Sequence, residues 1–139
     1  MSACVLDVSL TLSWMFEDEA SPENWALLEQ FSVAGVVVPD IWFFELANVL
    51  ALARRTGRAT EQEIDGFLRE IGTLDIRRDP AGEPADVRKL VDLASASGLS
   101  AYDAAYLELA RRLSLPLATL DRELAAAARR AGVPILPAG

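Results

Sequence analysis

The sequence predicts an α/β fold in which helices surround a mostly parallel β-sheet of four to five strands. Two observations lead to this prediction. Short apolar runs rich in β-branched residues alternate with longer segments of helical periodicity, which is typical of βα units. The chain has 139 residues, 52% of them hydrophobic, and shows neither an internal repeat nor a linker, so we expect one domain over residues 1–139.

The strands are predicted from five short apolar runs, which lie at 4–8, 36–38, 74–77, 117–119 and 134–136. In open α/β sheets, functional sites form beyond the carboxyl ends of the strands. Asp7 and Asp121 lie at or just past two such ends.

The helices are predicted from their start and stop signals. Asp40 follows Pro39 as a candidate N-cap, and Thr60 with Glu63 three residues later forms a capping-box pattern. Gly98 and Gly132 mark helix ends. The resulting helices run over about 41–55, 61–71, 84–96 and 100–113, and a last helix opens at residue 121.

The composition limits the classes of function. Histidine is absent, and the single cysteine, Cys4, cannot form an internal disulfide, so we expect a reducing compartment. We see neither a signal peptide nor a membrane-spanning segment and expect a cytoplasmic protein. The formal charge of -8 argues against non-specific binding to a polyanion. The clustered arginines most simply belong to solvated helix faces and helix ends. The clusters are Arg54 with Arg55 and Arg58, Arg77 with Arg78, Arg111 with Arg112, and Arg129 with Arg130.

Four acids fall where element boundaries are predicted: Asp7, Glu45, Asp103 and Asp121. If they meet in space, they form an oxygen-ligand cage of the kind that hard cations such as Mg²⁺ or Mn²⁺ prefer. Like charges in one cavity repel and raise the pKa of at least one carboxyl group unless a cation is bound. The set therefore predicts a metal site.

Each acid also has a structural explanation. Asp121 fits an N-cap, Asp103 fits the acid of a capping box opened by Ser100, and Ser9 can either cap a helix or orient the Asp7 carboxylate. Glu45 is harder to explain in this way, because its helix is apolar on almost every side and a buried carboxylate needs a partner. Helix geometry turns Asp103 toward the edge of the core.

The motifs resemble the PIN domain family, and most closely the VapC toxins of bacterial toxin-antitoxin pairs. The similar segments are VLDVSLTLSW, PDIWFFELANVL, GLSAYDAAYLELARRLSLPLATLD and the closing helix with GVPIL, so the resemblance covers nearly the whole chain. It implies a three-layer α/β/α sandwich and a ribonuclease that depends on Mg²⁺ or Mn²⁺. Residues 57–96 carry the loosest similarity.

The resemblance also assigns roles to individual residues. Asp7, Glu45 and Asp103 match the three core metal-binding acids, and Asp121 matches a fourth, more variable one. Small polar residues match positions that support the site, and these are Ser9, Asn48 and Thr119. A cognate VapB-like antitoxin and a homodimer are implied as partners. Trp14, Trp42, Phe43 and Phe44 could serve such an interface, although their helical positions favour the core.

The expected chemistry is hydrolysis of RNA phosphodiester bonds by a metal-activated water, because the chain has no histidine and its one lysine, Lys89, lies far from every motif. A catalytically silent PIN-like scaffold that binds a protein partner is the alternative. A phosphatase of the haloacid dehalogenase type would need a second aspartate at position 9, where the chain has serine. The glycine fingerprint of dinucleotide binding is missing after the first strand.

Overall fold

The computed structural model describes residues 2–80 and 82–138, with every side chain in these ranges except that of Glu17. Within them the chain forms a parallel sheet of five strands in the order β3-β2-β1-β4-β5. The strands are β1 (Val5–Leu6), β2 (Val36–Pro39), β3 (Ile76–Asp79), β4 (Leu117–Ala118) and β5 (Ile135–Leu136). The predicted fold class, a three-layer α/β/α arrangement with a mostly parallel central sheet, is confirmed.

Seven α-helices flank the sheet within the described residues. They are α1 (Val8–Leu12), α2 (Pro22–Ala34), α3 (Ile41–Thr56), α4 (Glu61–Ile71), α5 (Pro84–Ser97), α6 (Ala101–Leu113) and α7 (Arg122–Arg130), with a short 3-10 helix at Glu17–Glu19. Thr60 and Glu63 form the predicted capping box at the start of α4. No helix in the described part of the chain is long and apolar enough to cross a membrane.

The core lies on the three central strands of the sheet. Every residue of β1, β2 and β4 is buried, whereas the edge strands β3 and β5 are only partly covered. Helices supply the other side of the core through large side chains such as Leu10, Phe31, Tyr106 and Leu124. Cys4 is fully buried among them as a small core residue, and this burial raises the pKa of its thiol to about 12.

The topology brings several element boundaries to one edge of the sheet. Strands β1, β2 and β4 are parallel neighbours, with Val5 paired to both Val37 and Leu117, so their carboxyl ends lie side by side. Helices α3 and α7 begin there because they follow β2 and β4 after short turns. Helix α6 leads into β4 through residues 114–116 and packs on β1, β2 and β4, which places its first turn at the same edge. We call this the carboxyl edge.

Three predicted details of the elements are wrong. The predicted strand over residues 4–8 is shorter in the structure, where β1 ends at Leu6 and α1 already begins at Val8. Strand β3 begins at Ile76 and not at Leu74, because the Leu74 N–H donates to the Ile71 carbonyl in the turn that closes α4. Asp40 makes no side-chain capping bond at the start of α3, because its own backbone is already helical (φ -55°, ψ -34°). Its Oδ1 lies 3.3 Å from Nε of Arg78 instead.

The expectation for the aromatic residues is only half correct. Trp14 and Trp42 are core residues, and each indole N–H donates inside the protein, to the Asn24 carbonyl and to Thr11 Oγ1 respectively. Phe43 and Phe44 are 42% and 72% exposed. Helix α3 is therefore apolar on sides that face away from the core, which helical periodicity alone does not predict.

Gly35→Ala is expected to destabilise the fold by about 1–3 kcal/mol, because φ +80° and ψ 167° at this residue belong to a region that only glycine adopts easily. An added Cβ would also lie 3.1 Å from the Asp75 carbonyl oxygen. The matched control is Gly57→Ala, with φ +77° and open space around the new Cβ, for which we expect about 1 kcal/mol. Urea unfolding measures both. Equal losses would show that the contact with Asp75 contributes nothing.

Candidate active site

Asp7 lies directly after β1 and is buried at the carboxyl edge. Its Oδ2 accepts hydrogen bonds from Ser9 Oγ and Thr119 Oγ1, each at 2.6 Å. The two hydroxyl oxygens in turn accept backbone N–H groups, from Leu120 at 2.9 Å and Asp121 at 3.0 Å respectively. The loop after β4 therefore fixes the orientation of the Asp7 carboxylate.

This network decides between the two roles left open for Ser9. Asp7 holds the N-cap position of α1 and makes no side-chain capping bond there, while the hydroxyl of Ser9 is committed to the Asp7 carboxylate. Ser9 therefore orients Asp7 and does not cap the helix. Thr119, 112 residues away in sequence, does the same from the neighbouring strand end.

Glu45 lies half-buried in α3, and its partner is a tyrosine of α6. Tyr106 is fully buried, and its hydroxyl donates to Glu45 Oε1 at 2.6 Å. Tyr106 lies three residues after Asp103 on α6, but the sequence alone does not identify it as a partner of Glu45. The signal was this spacing of three residues, which puts both side chains on one side of α6. Asn48, one turn after Glu45, is exposed and has no hydrogen bond to it in the described structure.

Asp103 and Asp121 both take part in helix starts. The Asp103 N–H donates to Ser100 Oγ at 3.2 Å, and Asp121 Oδ1 accepts the Leu124 N–H at 3.1 Å. The Ser100 half of the predicted capping arrangement is thus present, and Asp121 is the N-cap of α7. Both carboxyl groups remain partly exposed at the carboxyl edge. A capping role and a place in a functional site are compatible here.

The four acids lie close enough for their charges to affect pKa values within the set. Burial raises the pKa of Asp7, Glu45 and Asp103, and repulsion between the acids adds to each shift. Asp121 acts on Asp7 and Asp103, Asp7 acts on Glu45 and Asp103, and Asp103 acts on Glu45. Glu123 in the first turn of α7, which the sequence analysis did not single out, adds to the field at Asp103.

These four acids form no ion pair with a basic side chain in the part of the chain that the structure describes. Among the described residues, the ion pairs join arginines and Lys89 to other acids, and none includes Asp7, Glu45, Asp103 or Asp121. Clustered carboxylates without a counter-charge cost free energy in the folded state. Protonation of these carboxylates, or binding of a cation to them, should therefore stabilise the folded state.

The chemistry of the donors fits a hard divalent cation. In the parts of the chain that the structure describes, no three acidic or thiol side chains converge closely enough to ligate one ion as a closed cage. Mg²⁺ does not require such a cage, because it keeps several waters and takes only one or two protein carboxylates together with substrate phosphates. The carboxylate set fits a partly hydrated ion held at an open edge.

The fold and this edge define the class of the protein: an α/β/α domain with an uncompensated carboxylate site beyond the strand ends. The model of the PIN domain family matches residues 4–130, and the chain belongs to that family. PIN domains are generally nucleases, and typically use divalent metals. No curated protein matches the chain by sequence.

Solved structures support the same fold. The crystal structure of PAE2754 from Pyrobaculum aerophilum is 21% identical with a TM-score of 0.69, and the match covers 97% of this chain and 84% of that one. FitAcB from Neisseria gonorrhoeae is 18% identical with a TM-score of 0.65, and the match covers 95% of each chain. At such identities the likeness concerns the fold alone.

Tyr106→Phe is expected to lower nuclease activity by roughly 10-fold, as is typical when a partner that orients a site residue is lost. The tyrosine hydrogen bond lowers the pKa of Glu45, so its loss should move the acid limb of the kcat/KM profile to higher pH. The measurement is a pH profile beside Ser32→Ala, which removes an exposed hydroxyl that bonds within α2. Activity lost without a shift of the acid limb would indicate damage to packing instead.

Metal-free protein is expected to become more stable as the pH falls from 7.5 toward 5. The pKa values of Asp7, Glu45 and Asp103 are raised in the folded state, chiefly by burial, so the folded protein binds protons at a pH where the unfolded chain does not. Their stabilisation is fully present below the unfolded pKa near 4 and is lost as the pH rises through the folded values. Thermal melts in a chelator test this, and Asp103→Asn should flatten the dependence. A melting temperature that falls steadily from pH 7.5 to 5 would contradict it.

Proposed function

We propose that the protein is a metal-dependent endoribonuclease and the toxin component of a type II toxin-antitoxin system. The single observation that carries the proposal is the oriented but uncompensated carboxylate set at the carboxyl edge, in which two hydroxyls hold Asp7 among three other acids. The PIN family supports a nuclease, and the resemblance to VapC proteins supports RNA as substrate. We take the whole of residues 1–139 as one PIN domain.

Each acid has a separate task in this proposal. Asp7, Glu45 and Asp103 would hold the principal Mg²⁺ or Mn²⁺, in part through waters that the ion keeps, and Asp121 would complete a second site or position the attacking water. When bound, the cation would neutralise the phosphate and activate that water for in-line attack. Ser9 and Thr119 orient the Asp7 carboxylate at the edge, and the two hydrogen bonds that they donate oppose the rise in its pKa that burial causes.

Tyr106 is a positioning residue and not a catalytic one. Its hydroxyl is buried, its pKa is strongly raised by burial and by the bond to Glu45, and it therefore stays protonated at any physiological pH. It holds Oε1 of Glu45 and leaves Oε2 available to the site. Asn48 is exposed one turn further along α3. We propose that it contacts the Glu45 carboxylate on the side where the substrate would bind.

The proposed partners follow from the resemblance and from the charge of the edge. A VapB-like antitoxin would present basic residues to the uncompensated acids and so exclude both the cation and RNA. We also propose a homodimer and a cytoplasmic location, as the sequence implies.

The decisive experiment incubates purified protein with a mixed RNA pool, with Mn²⁺ or with a chelator. We expect cuts only with the metal, and none with Asp103→Asn. The matched control is Asp65→Asn, an exposed acid of α4 that lies in no ion pair of the described structure and should cleave normally. A folded, Mn²⁺-binding protein that leaves all RNA intact would favour the silent scaffold.

A further inference from the structure

Large exposed apolar residues line the carboxyl edge beside the acids. Phe44 is 72% exposed and precedes Glu45, Tyr102 is 63% exposed and precedes Asp103, and Leu120 is 37% exposed and precedes Asp121. Exposed apolar residues scattered singly need no explanation. Here, however, three of the four acids have one as the preceding residue, so the surface around the site is apolar and aromatic.

Tyr102 lies one turn before Tyr106 on α6. It precedes Tyr106 by four residues, so the two residues share one face of α6, with Tyr102 about 6 Å further toward the helix start. Tyr106 reaches Glu45 of α3 from that face. Tyr102 is therefore the exposed aromatic residue on the α6 face that contacts Glu45, and its hydroxyl makes no hydrogen bond to any described residue.

Phe44 is the exposed aromatic residue directly before Glu45 on α3. It shares an exposed stripe with Asn48 and Leu52, at spacings of four residues, and this stripe is turned by about 100° or less from Glu45. Phe43 lines a cavity of about 410 Å³ between α3 and α4 that none of the four acids borders. Two helices therefore each carry an exposed aromatic residue near the contact between Glu45 and Tyr106.

The charge of the protein limits how RNA can be held at this edge. The net charge is -8, and several arginines are already paired with acids in the described structure, including Arg54, Arg58, Arg78 and Arg112. Arg122 is exposed as the first residue of α7, directly after Asp121, and no described acid lies within ion-pair distance of it. Phosphate contacts from exposed arginines act against the net negative charge of the protein, so we expect uncharged contacts with the bases to contribute to affinity. Aromatic rings supply such contacts for every base, because each base has a stacking face.

We propose that Phe44 and Tyr102 stack on two unpaired bases that flank the scissile phosphate, and that Arg122 contacts a backbone phosphate beside Asp121. This inference rests on the proposed ribonuclease function and names how its substrate is held. The two rings can stack only on bases that are unstacked from their neighbours, so the carboxyl edge should bind single-stranded segments and not base-paired ones. Stacking of both bases would place the phosphate between the two rings and next to the acids.

The test measures binding of a short labelled single-stranded RNA to protein with the background change Asp103→Asn, in Mg²⁺, so that the strand stays intact. Phe44→Ala and Tyr102→Ala should each weaken binding by roughly 5- to 100-fold. Phe44→Trp should retain it, and Phe43→Ala is the matched control expected to bind within a factor of two. An RNA lacking the flanking bases should bind the parent as weakly as the normal RNA binds the alanine variants.

Salt dependence separates stacking from charge. Phe44→Ala should lower affinity equally at all salt concentrations, whereas Arg122→Gln should reduce the slope of log K against log salt by about 0.7. Unchanged affinity in both alanine variants would overturn the stacking role. A loss of affinity together with a changed mass of the free protein in sedimentation would also overturn it, and would indicate that these residues form a protein interface. If Phe44→Ala and Tyr102→Ala, made separately with Asp103 intact, cut RNA normally, the nuclease proposal survives. If the protein with Asp103 intact neither binds nor cuts RNA, both proposals fall.

Discussion

Asp7→Asn is expected to reduce kcat/KM for RNA cleavage by roughly 10²–10³-fold while the chain stays folded. The neutral amide can still accept hydrogen bonds from Ser9 and Thr119 through its oxygen, so the network around residue 7 keeps its shape. What disappears is a buried negative charge that the structure leaves without a basic partner among the described residues. If the proposed function is correct, this charge is needed to bind a cation and not to stabilise the fold.

Stability separates this explanation from simple damage. Removing one of several repelling carboxylates should leave the melting temperature of the metal-free protein unchanged or raise it, because burial raises the pKa of Asp7 and Asp121 raises it further. Thr119→Val is the informative companion variant, since it keeps the charge but removes one oriented donor, and it should lower both activity and stability. Full cleavage by Asp7→Asn in saturating Mn²⁺ would remove Asp7 from the catalytic set.

Mn²⁺ at about 100 times its dissociation constant is expected to stabilise the folded protein by about 2.7 kcal/mol, because the ion binds the native state and not the unfolded chain. For a chain of this size that corresponds to roughly 10 °C in melting temperature. The gain should be larger at pH 7.5 than at pH 5, since protons compete for the same carboxylates. Thermal melts with Mn²⁺ and then with excess chelator measure it.

The control for metal binding is again Asp65→Asn, a change at an exposed acid of α4. The double variant Glu45→Gln with Asp103→Asn should lose most of the Mn²⁺ effect, while Asp65→Asn should respond as the parent does. An equal response in all three proteins would mean that the ion binds elsewhere on an acidic surface. This readout does not depend on cleavage, so it tests the site even without the natural RNA.

The fold was largely predictable because local signals agreed with long-range pairing. Helix α4 has its predicted bounds, since Thr60 and Glu63 satisfy each other within four residues of chain. Strand β3 was misplaced by two residues because Leu74 is apolar and buried whether it belongs to a strand or to the turn after α4. Asp40 shows the same limit: its type suits a cap, but backbone geometry decided otherwise.

The candidate site was predictable as a set of acids but not as a set of contacts. Glu45 stood out in an apolar helix, yet its partner Tyr106 lies 61 residues away and no local pattern joins them. Phe43 and Phe44 look alike in sequence, but only packing places one against the cavity between α3 and α4 and the other beside Glu45.

The sequence by itself determined the α/β class, the element order and the four carboxylates, because alternating apolar periodicities, helix caps and residue chemistry are local properties. Tertiary structure alone decided that Ser9 and Thr119 converge on one oxygen of Asp7, that Tyr106 holds Glu45, and that no arginine among the described residues neutralises the acids. The reason is physical: parallel pairing of β1, β2 and β4 gathers strand ends that lie far apart in the chain. The hydrogen bonds and the charge repulsion between side chains at these strand ends exist only once the sheet has formed.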